Sequence, residues 1–210
     1  MSMLDKMMSD PGGMWNKRYG SGDGYVYGTE ANDFLKAMAA AIPKGPVLCL
    51  AAGEGRNAVF LAEQGYEVTA VDLSRVGLDK TAALAKARGV KVTCVEANLM
   101  DHDLGDGLWA GITSIWAHTP AEVRKAVHGR LAKALAPGGV FILEHYRPQQ
   151  IELGTGGPPV SMFLPTLRDL REELGALDLV LAQDVMRDVS EGAGHEGRSA
   201  TVQVLARRAD

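Results

Sequence analysis

The sequence predicts an α/β fold in three layers, α/β/α, around a mostly parallel seven-stranded sheet that closes with a C-terminal antiparallel hairpin. Three observations predict it. From Val47 onward short apolar runs alternate with amphipathic stretches of helical length, which means parallel strands joined by crossover helices. A glycine turn, "AAGEGRNA", joins the first apolar run to the first amphipathic stretch. Near the end, "LDLVLAQDVMRDV" and "RSATVQVLARRA" flank the glycine-rich "SEGAGHEG", a hairpin signal that puts an antiparallel pair at one sheet edge.

The elements follow in order. "MWNKRYGSGDGYVYGTEANDFLKAMAAAI" is glycine-rich and aromatic up to Thr29, which predicts an irregular arm. It then takes helical spacing through Phe34, Leu35, Met38 and Ile42, with Pro43 to Pro46 as the stop. The alternation that follows predicts strand 47–51, helix 56–64, strand 67–71, helix 75–88, strands 91–95 and 111–117, helix 120–135 and strand 139–146. After the loop "RPQQIELGTGGPP" a helix is expected near 165–174, with "RDLREEL" read as its solvated face. Residues 1–45 thus form an aromatic arm and helix over a domain at 46–210, one structural domain overall.

Composition narrows the function classes. At 210 residues one core is expected, and hence one site. The net charge of −4, without a basic stripe, argues against nucleic acid as a partner. No stretch approaches the ~20 apolar residues of a membrane span, and Met1 to Gly13 has no apolar leader core, so a cytoplasmic protein is expected. Cys49 and Cys94 lie in strand-like runs without metal-type spacing and read as buried free thiols; no metal site is expected. A monomer is the default, with the edge hairpin as a possible homodimer surface.

The chemistry is carried by the turn. Gly53, Gly55 and Ala58 form GxGxxA between strand and helix, which lets backbone approach a ligand and turns free N–H groups toward it. Asp72 ends the next strand, about 20 residues on, where a carboxylate accepts from both ribose hydroxyls. Together they indicate an adenosine cofactor: a nicotinamide dinucleotide, a flavin dinucleotide or S-adenosylmethionine. None of the five tyrosines has a lysine four positions later, and no second mononucleotide half follows, so a nicotinamide-dependent oxidoreductase is the minority reading. A non-catalytic cofactor-binding module is a third.

The ordered set "AAGEGRNAVFLAEQGYEVTAVDLS", "SIWAHTP", "LAPGGVFILEHYRPQQ", "GTGGP" and "EGAGHEG" resembles the small bacterial class I S-adenosylmethionine-dependent methyltransferases of the tellurite-resistance and thiopurine-methyltransferase-like family, from Trp15 to Val204. The resemblance implies a Rossmann-like fold and methyl transfer to a small-molecule acceptor such as a thiol or a chalcogen oxyanion, with protein or peptide methylation as a variant. It implies that Ala51, Gly53 and Gly55 lie under the methionine and ribose, that Asp72 holds the ribose and that Leu73 covers the adenine. Asn98 and Leu99 would contact the adenine edge, and Ile115 would lie beneath the sulfonium. Trp15, Arg18, Tyr19, Tyr25 and Tyr27 resemble an aromatic lid, with Arg18 placed to pair with the methionine carboxylate. Cys49 and Ala51 replace the acid and first glycine usual in the wider class, which leaves the bracing of the turn open.

Residues at the carboxyl ends of the later strands are the acceptor-side candidates: His118 with Trp116, Glu144 and Tyr146, Gln149, and His195 in the hairpin loop. Each has a plainer reading. His118 would be a helix-entry residue, Glu144 an ion pair with Arg147 or Arg198, and His195 a solvated hairpin tip. Arg56 and Asn57 either cap their helix or line the cofactor site, capping being preferred for Asn57.

Overall fold

The computed structural model describes residues 9–192 and 194–210. The leader reading of residues 1–8 lies outside them.

Seven strands form one sheet in the order β3-β2-β1-β4-β5-β7-β6. Strands β1 (Pro46–Leu50), β2 (Glu67–Asp72), β3 (Val92–Glu96), β4 (Trp109–Ile115) and β5 (Leu135–Tyr146) run parallel. β7 (Glu196–Arg207) runs antiparallel between β5 and the edge strand β6 (Asp178–Ser190), so the expected hairpin closes the sheet. The order reverses between β1 and β4, where open α/β sheets leave a crevice beyond the strand ends.

Alternation along buried strands explains the layers. Val47 and Cys49 of β1 join Val140 and Ile142 of β5 in one core cluster, while Leu48, Leu50, Phe141 and Leu143 face the other. Successive side chains of a strand point to opposite faces, so both faces need cover. One side is closed by α2 (Asp33–Met38), α3 (Arg56–Glu63) and α4 (Arg75–Ala87) through Leu35, Leu61 and Leu78; the other by α5 (Ala121–Ala134) and α7 (Leu167–Glu173) through Leu131 and Leu170.

Several expectations are corrected. The arm is not irregular throughout: Pro11–Tyr19 is a helix, α1, with Asp10 accepting from the Gly13 amide, Pro11 opening the first turn and Lys17 and Arg18 in the last. Leu135 already belongs to β5, opposite Trp109, and a register shift before Gly111 absorbs the Pro137-Gly138-Gly139 turn expected to separate helix from strand. A short helix, α6 (Gln150–Leu153), follows β5 where a loop was expected. The "RDLREEL" helix is not a solvated face throughout, because the Glu173 side chain, only 5% exposed, pairs with Arg124 at 2.8 Å and His128 at 2.7 Å. Cys49 is buried and its thiol is pushed up to about 12 by burial, whereas Cys94 is only partly buried. Among the described residues no helix is long and apolar enough to cross a membrane.

Candidate functional site

A cavity runs along the carboxyl ends of the strands in sheet order: Asn98 and Leu99 after β3, Asp72 and Leu73 at β2, the 51–54 turn after β1, and Ile115 to Thr119 after β4. Trp15, Tyr19, Tyr27 and Gly28 roof it from the arm, and His195 reaches it from the β6–β7 loop.

The turn is braced from β2. The Gly53 amide donates to Asp72 Oδ2 at 2.7 Å and the Ser74 amide to Oδ1 at 2.8 Å, while the Ala52 amide donates to the Val71 carbonyl. These bonds brace the turn although Cys49 and Ala51 stand at its start. Burial raises the Asp72 pKa, and the amides of Ser74 and Gly53 oppose that rise. Gly53 has φ +58°, and a Cβ there would come within 2.8 Å of the Tyr19 hydroxyl. The missing Cβ therefore lets the arm close over the turn. Gly55, with φ +87°, does not line the cavity: a Cβ on it would strike Thr81 at 2.4 Å, so this glycine serves the packing of α3 on α4.

Glu54, between the two glycines, fastens the arm. Its carboxylate accepts from the amides of Val26 at 2.8 Å and Tyr27 at 3.3 Å and pairs with Lys80 at 3.0 Å. Lys80 also donates to the carbonyls of Tyr19 and Gly24. A carboxylate inside a glycine turn was the available sequence signal, and the reading passed it over. Arg18 packs its guanidinium 5.5 Å from the Tyr27 ring and does not line the cavity, though its Nε is buried without a partner. Tyr25 donates to the Lys80 carbonyl, outside the cavity. Asn57 does line it, yet it does not cap its own helix: its Oδ1 accepts the Asn32 amide.

At the β4 end the candidates separate. His118 lines the cavity with both ring nitrogens buried and unpartnered, which holds its pKa down to about 3. His195 is buried, not a solvated tip; it stacks on Tyr27 at 4.7 Å and Trp116 at 5.0 Å, and burial, the largest cause, pushes it down to about 2. Tyr146 and Gln149 do not line the cavity: Tyr146 stacks behind Trp116 at 4.3 Å, with its hydroxyl 2.9 Å from His195 Nδ1.

Glu144 is fully buried away from the cavity, and its ion partner is Arg187, not Arg147 or Arg198. Arg187 binds both its oxygens, at 2.9 and 2.7 Å, and Asn32 and Gln203 donate to it at 2.6 and 2.7 Å. The cluster extends to Glu191, which accepts from Arg187, Asn32, Arg56 and Trp116 Nε1, the last at 2.7 Å. Arg56, which also lines the cavity, and Glu191 thus tie α3 to the hairpin loop. Trp116 sits at φ +55°, a strained conformation for a bulky residue, held by this bond and by its amide on the Glu144 carbonyl.

Fold and cavity together define a Rossmann-like α/β fold with a crevice at the glycine turn. Residues 47–139 match the family model described as a methyltransferase domain. The demethylmenaquinone methyltransferase of Thermus thermophilus is 31% identical over 127 residues, 58% of this chain and 57% of that protein. The tRNA 5-carboxymethoxyuridine methyltransferase of Escherichia coli is 31% identical over 103 residues, 48% of this chain and 40% of its own length. The chain therefore spans only about half the length of these curated relatives. Two solved structures extend the likeness over nearly the whole chain. A structure described as the conversion of a disulfide bond into a thioacetal group during echinomycin biosynthesis has a TM-score of 0.76 at 19% identity, over 95% of this chain and 92% of that one. Magnesium protoporphyrin IX methyltransferase from Synechocystis, with S-adenosylhomocysteine bound, has a TM-score of 0.64 at 17% identity, over 99% and 98%. At these identities the structures establish the fold alone.

Proposed function

We propose that this chain is an S-adenosylmethionine-dependent methyltransferase with a small-molecule acceptor. One observation carries the reading: the Asp72 carboxylate and the Gly53 turn stand in one cavity, under the arm, within the matched methyltransferase domain.

The cavity fits the cofactor. Asp72 would accept the ribose hydroxyls through lone pairs left by its two amide bonds, and Leu73, Asn98 and Leu99 would enclose the adenine. Ala51, Gly53, Tyr19, Ile115, Trp15 and Tyr27 would hold the methionine portion and its sulfonium. When bound, S-adenosylmethionine supplies a methyl group on a cationic sulfur that leaves neutral. The protein's own contribution is to hold the acceptor about 3–3.5 Å from that carbon and to exclude water, which the aromatic arm does.

The acceptor enters at the β4 and hairpin end, where Trp116, His118 and His195 form the wall. Both histidines are held neutral by burial, so this wall suits an uncharged acceptor with a polarisable or weakly acidic atom, a thiol among them. The ordered sequence motifs support placement near the thiopurine-methyltransferase-like proteins. The test is calorimetric titration with S-adenosylhomocysteine, with NAD as control. Micromolar binding of the first alone is expected; no affinity, or affinity for NAD alone, overturns the reading.

A further inference from the structure

We propose that His118 is the residue that hydrogen-bonds the methyl acceptor: its ring, left unpaired by the protein in the cavity wall, takes its partner from an uncharged hydroxyl or thiol of the bound acceptor. This rests on the methyl-transfer reading above.

Neighbouring polar side chains of the wall are engaged by the protein itself. Trp116 Nε1 donates to Glu191 at 2.7 Å, His195 Nδ1 shares a hydrogen bond with the Tyr146 hydroxyl at 2.9 Å, and Arg56 donates to Glu191 and to the Glu30 carbonyl. His118 is different. Among the described residues, buried side-chain nitrogens without a partner occur on Arg18, His118, His145 and Arg147, and of these four only His118 lines the cavity. Nor does it serve the helix that follows, because α5 starts at Ala121 behind Pro120 with no side-chain cap. The ring is nonetheless fixed in place. Its backbone amide donates to the Trp116 carbonyl at 2.9 Å, and the imidazole lies parallel to Tyr146 at 5.6 Å and edge-on to His145 at 5.2 Å.

A buried polar group without a partner opposes folding, which is why native proteins pair nearly all of them. Held rigidly and unpaired, His118 destabilises the unloaded chain, and a bound molecule that supplies the partner removes that penalty. Burial keeps the ring uncharged, so it carries one N–H and one lone pair. A hydroxyl or thiol has both a donor and lone pairs and so meets whichever nitrogen faces it. A carboxylate lacks the donor and an ammonium lacks the acceptor, and either brings a charge that a neutral ring does not offset.

Two measurements on the full-length protein test this, and the first needs no ligand. His118→Phe and His118→Leu remove the polar atoms without breaking a side-chain hydrogen bond. At about pH 8, where unfolded histidine is neutral as well, at least one of them is expected to unfold at a higher urea concentration than the wild type. Lower midpoints in both overturn the proposal. The second takes the more stable variant and the wild type, each saturated with S-adenosylhomocysteine, and titrates phenol and toluene by ligand-observed NMR. Toluene carries a methyl in place of the hydroxyl. The preference for phenol over toluene is expected to fall about five- to tenfold in the variant, the worth of one hydrogen bond between neutral groups. An unchanged preference, or phenol that does not bind the wild type, overturns it. Failure of S-adenosylhomocysteine to bind strikes the cofactor reading instead; the urea comparison and the same titration in the unloaded protein then still decide the role of His118.

Discussion

The Gly53 amide and the Asp72 carboxylate, 2.7 Å apart, join the first and second strand ends into one rigid turn. The same carboxylate faces the cavity, so in the proposed function it would brace the backbone and accept the ribose hydroxyls at once. Asp72→Ala is expected to weaken S-adenosylhomocysteine binding by about 1–3 kcal/mol, the scale of a lost charged hydrogen bond. Calorimetry checks this, and unchanged affinity would place the ribose elsewhere.

Gly53 also sets how closely the arm can approach. In Gly53→Ala the new Cβ meets the Tyr19 hydroxyl at 2.8 Å from a backbone at φ +58°, so the arm lifts. The left-handed conformation alone costs about 1–2 kcal/mol for a non-glycine residue. Faster cleavage at the 20–24 loop by a nonspecific protease, with weaker cofactor binding, is the expected outcome; an unchanged cleavage rate counts against a closing arm.

Arg187 neutralises Glu144, which is fully buried, and shares Glu191 with Arg56. Arg187→Met leaves a buried carboxylate without its cation and is expected to cost about 3–5 kcal/mol. The urea midpoint measures this. A shift of under about 1 kcal/mol, the worth of an exposed pair, would mean that the cluster is open to water.

The buried histidines predict an acid-sensitive fold. Burial holds His118 down to about 3, His195 to about 2 and His145 well below the usual imidazole range. An unfolded histidine titrates near ~6.5, so below that pH the unfolded chain takes up protons that the native chain refuses. Stability is therefore full above about pH 6.5 and falls as pH drops, approaching about 4 kcal/mol per pH unit from the three groups together. Asp72, whose pKa is raised, acts in the opposite sense, but as one group. Urea midpoints at about pH 7 and 5.5 test this, and a flat profile contradicts neutral burial.

Sequence by itself determined the sheet, the closing hairpin, the glycine turn and Asp72, because period-two apolar runs, crossover lengths and a strand-end carboxylate are local patterns that every such fold repeats. It also brought Trp15, Tyr19, Tyr27, Asn98, Leu99 and Ile115 into one list, and the tertiary structure brings them to one cavity. What only the tertiary structure decided is which polar groups find each other across long separations. Glu144 meets Arg187, Asn32 and Gln203 instead of its near neighbour Arg147, and Glu191 meets Arg56, 135 positions away. Such pairing depends on where the hairpin folds back over β4 and on the need of every buried charge for a partner, and neither leaves a periodic mark in the chain. The same holds for Tyr146 and His195, joined by a strand crossing that the order of residues does not announce.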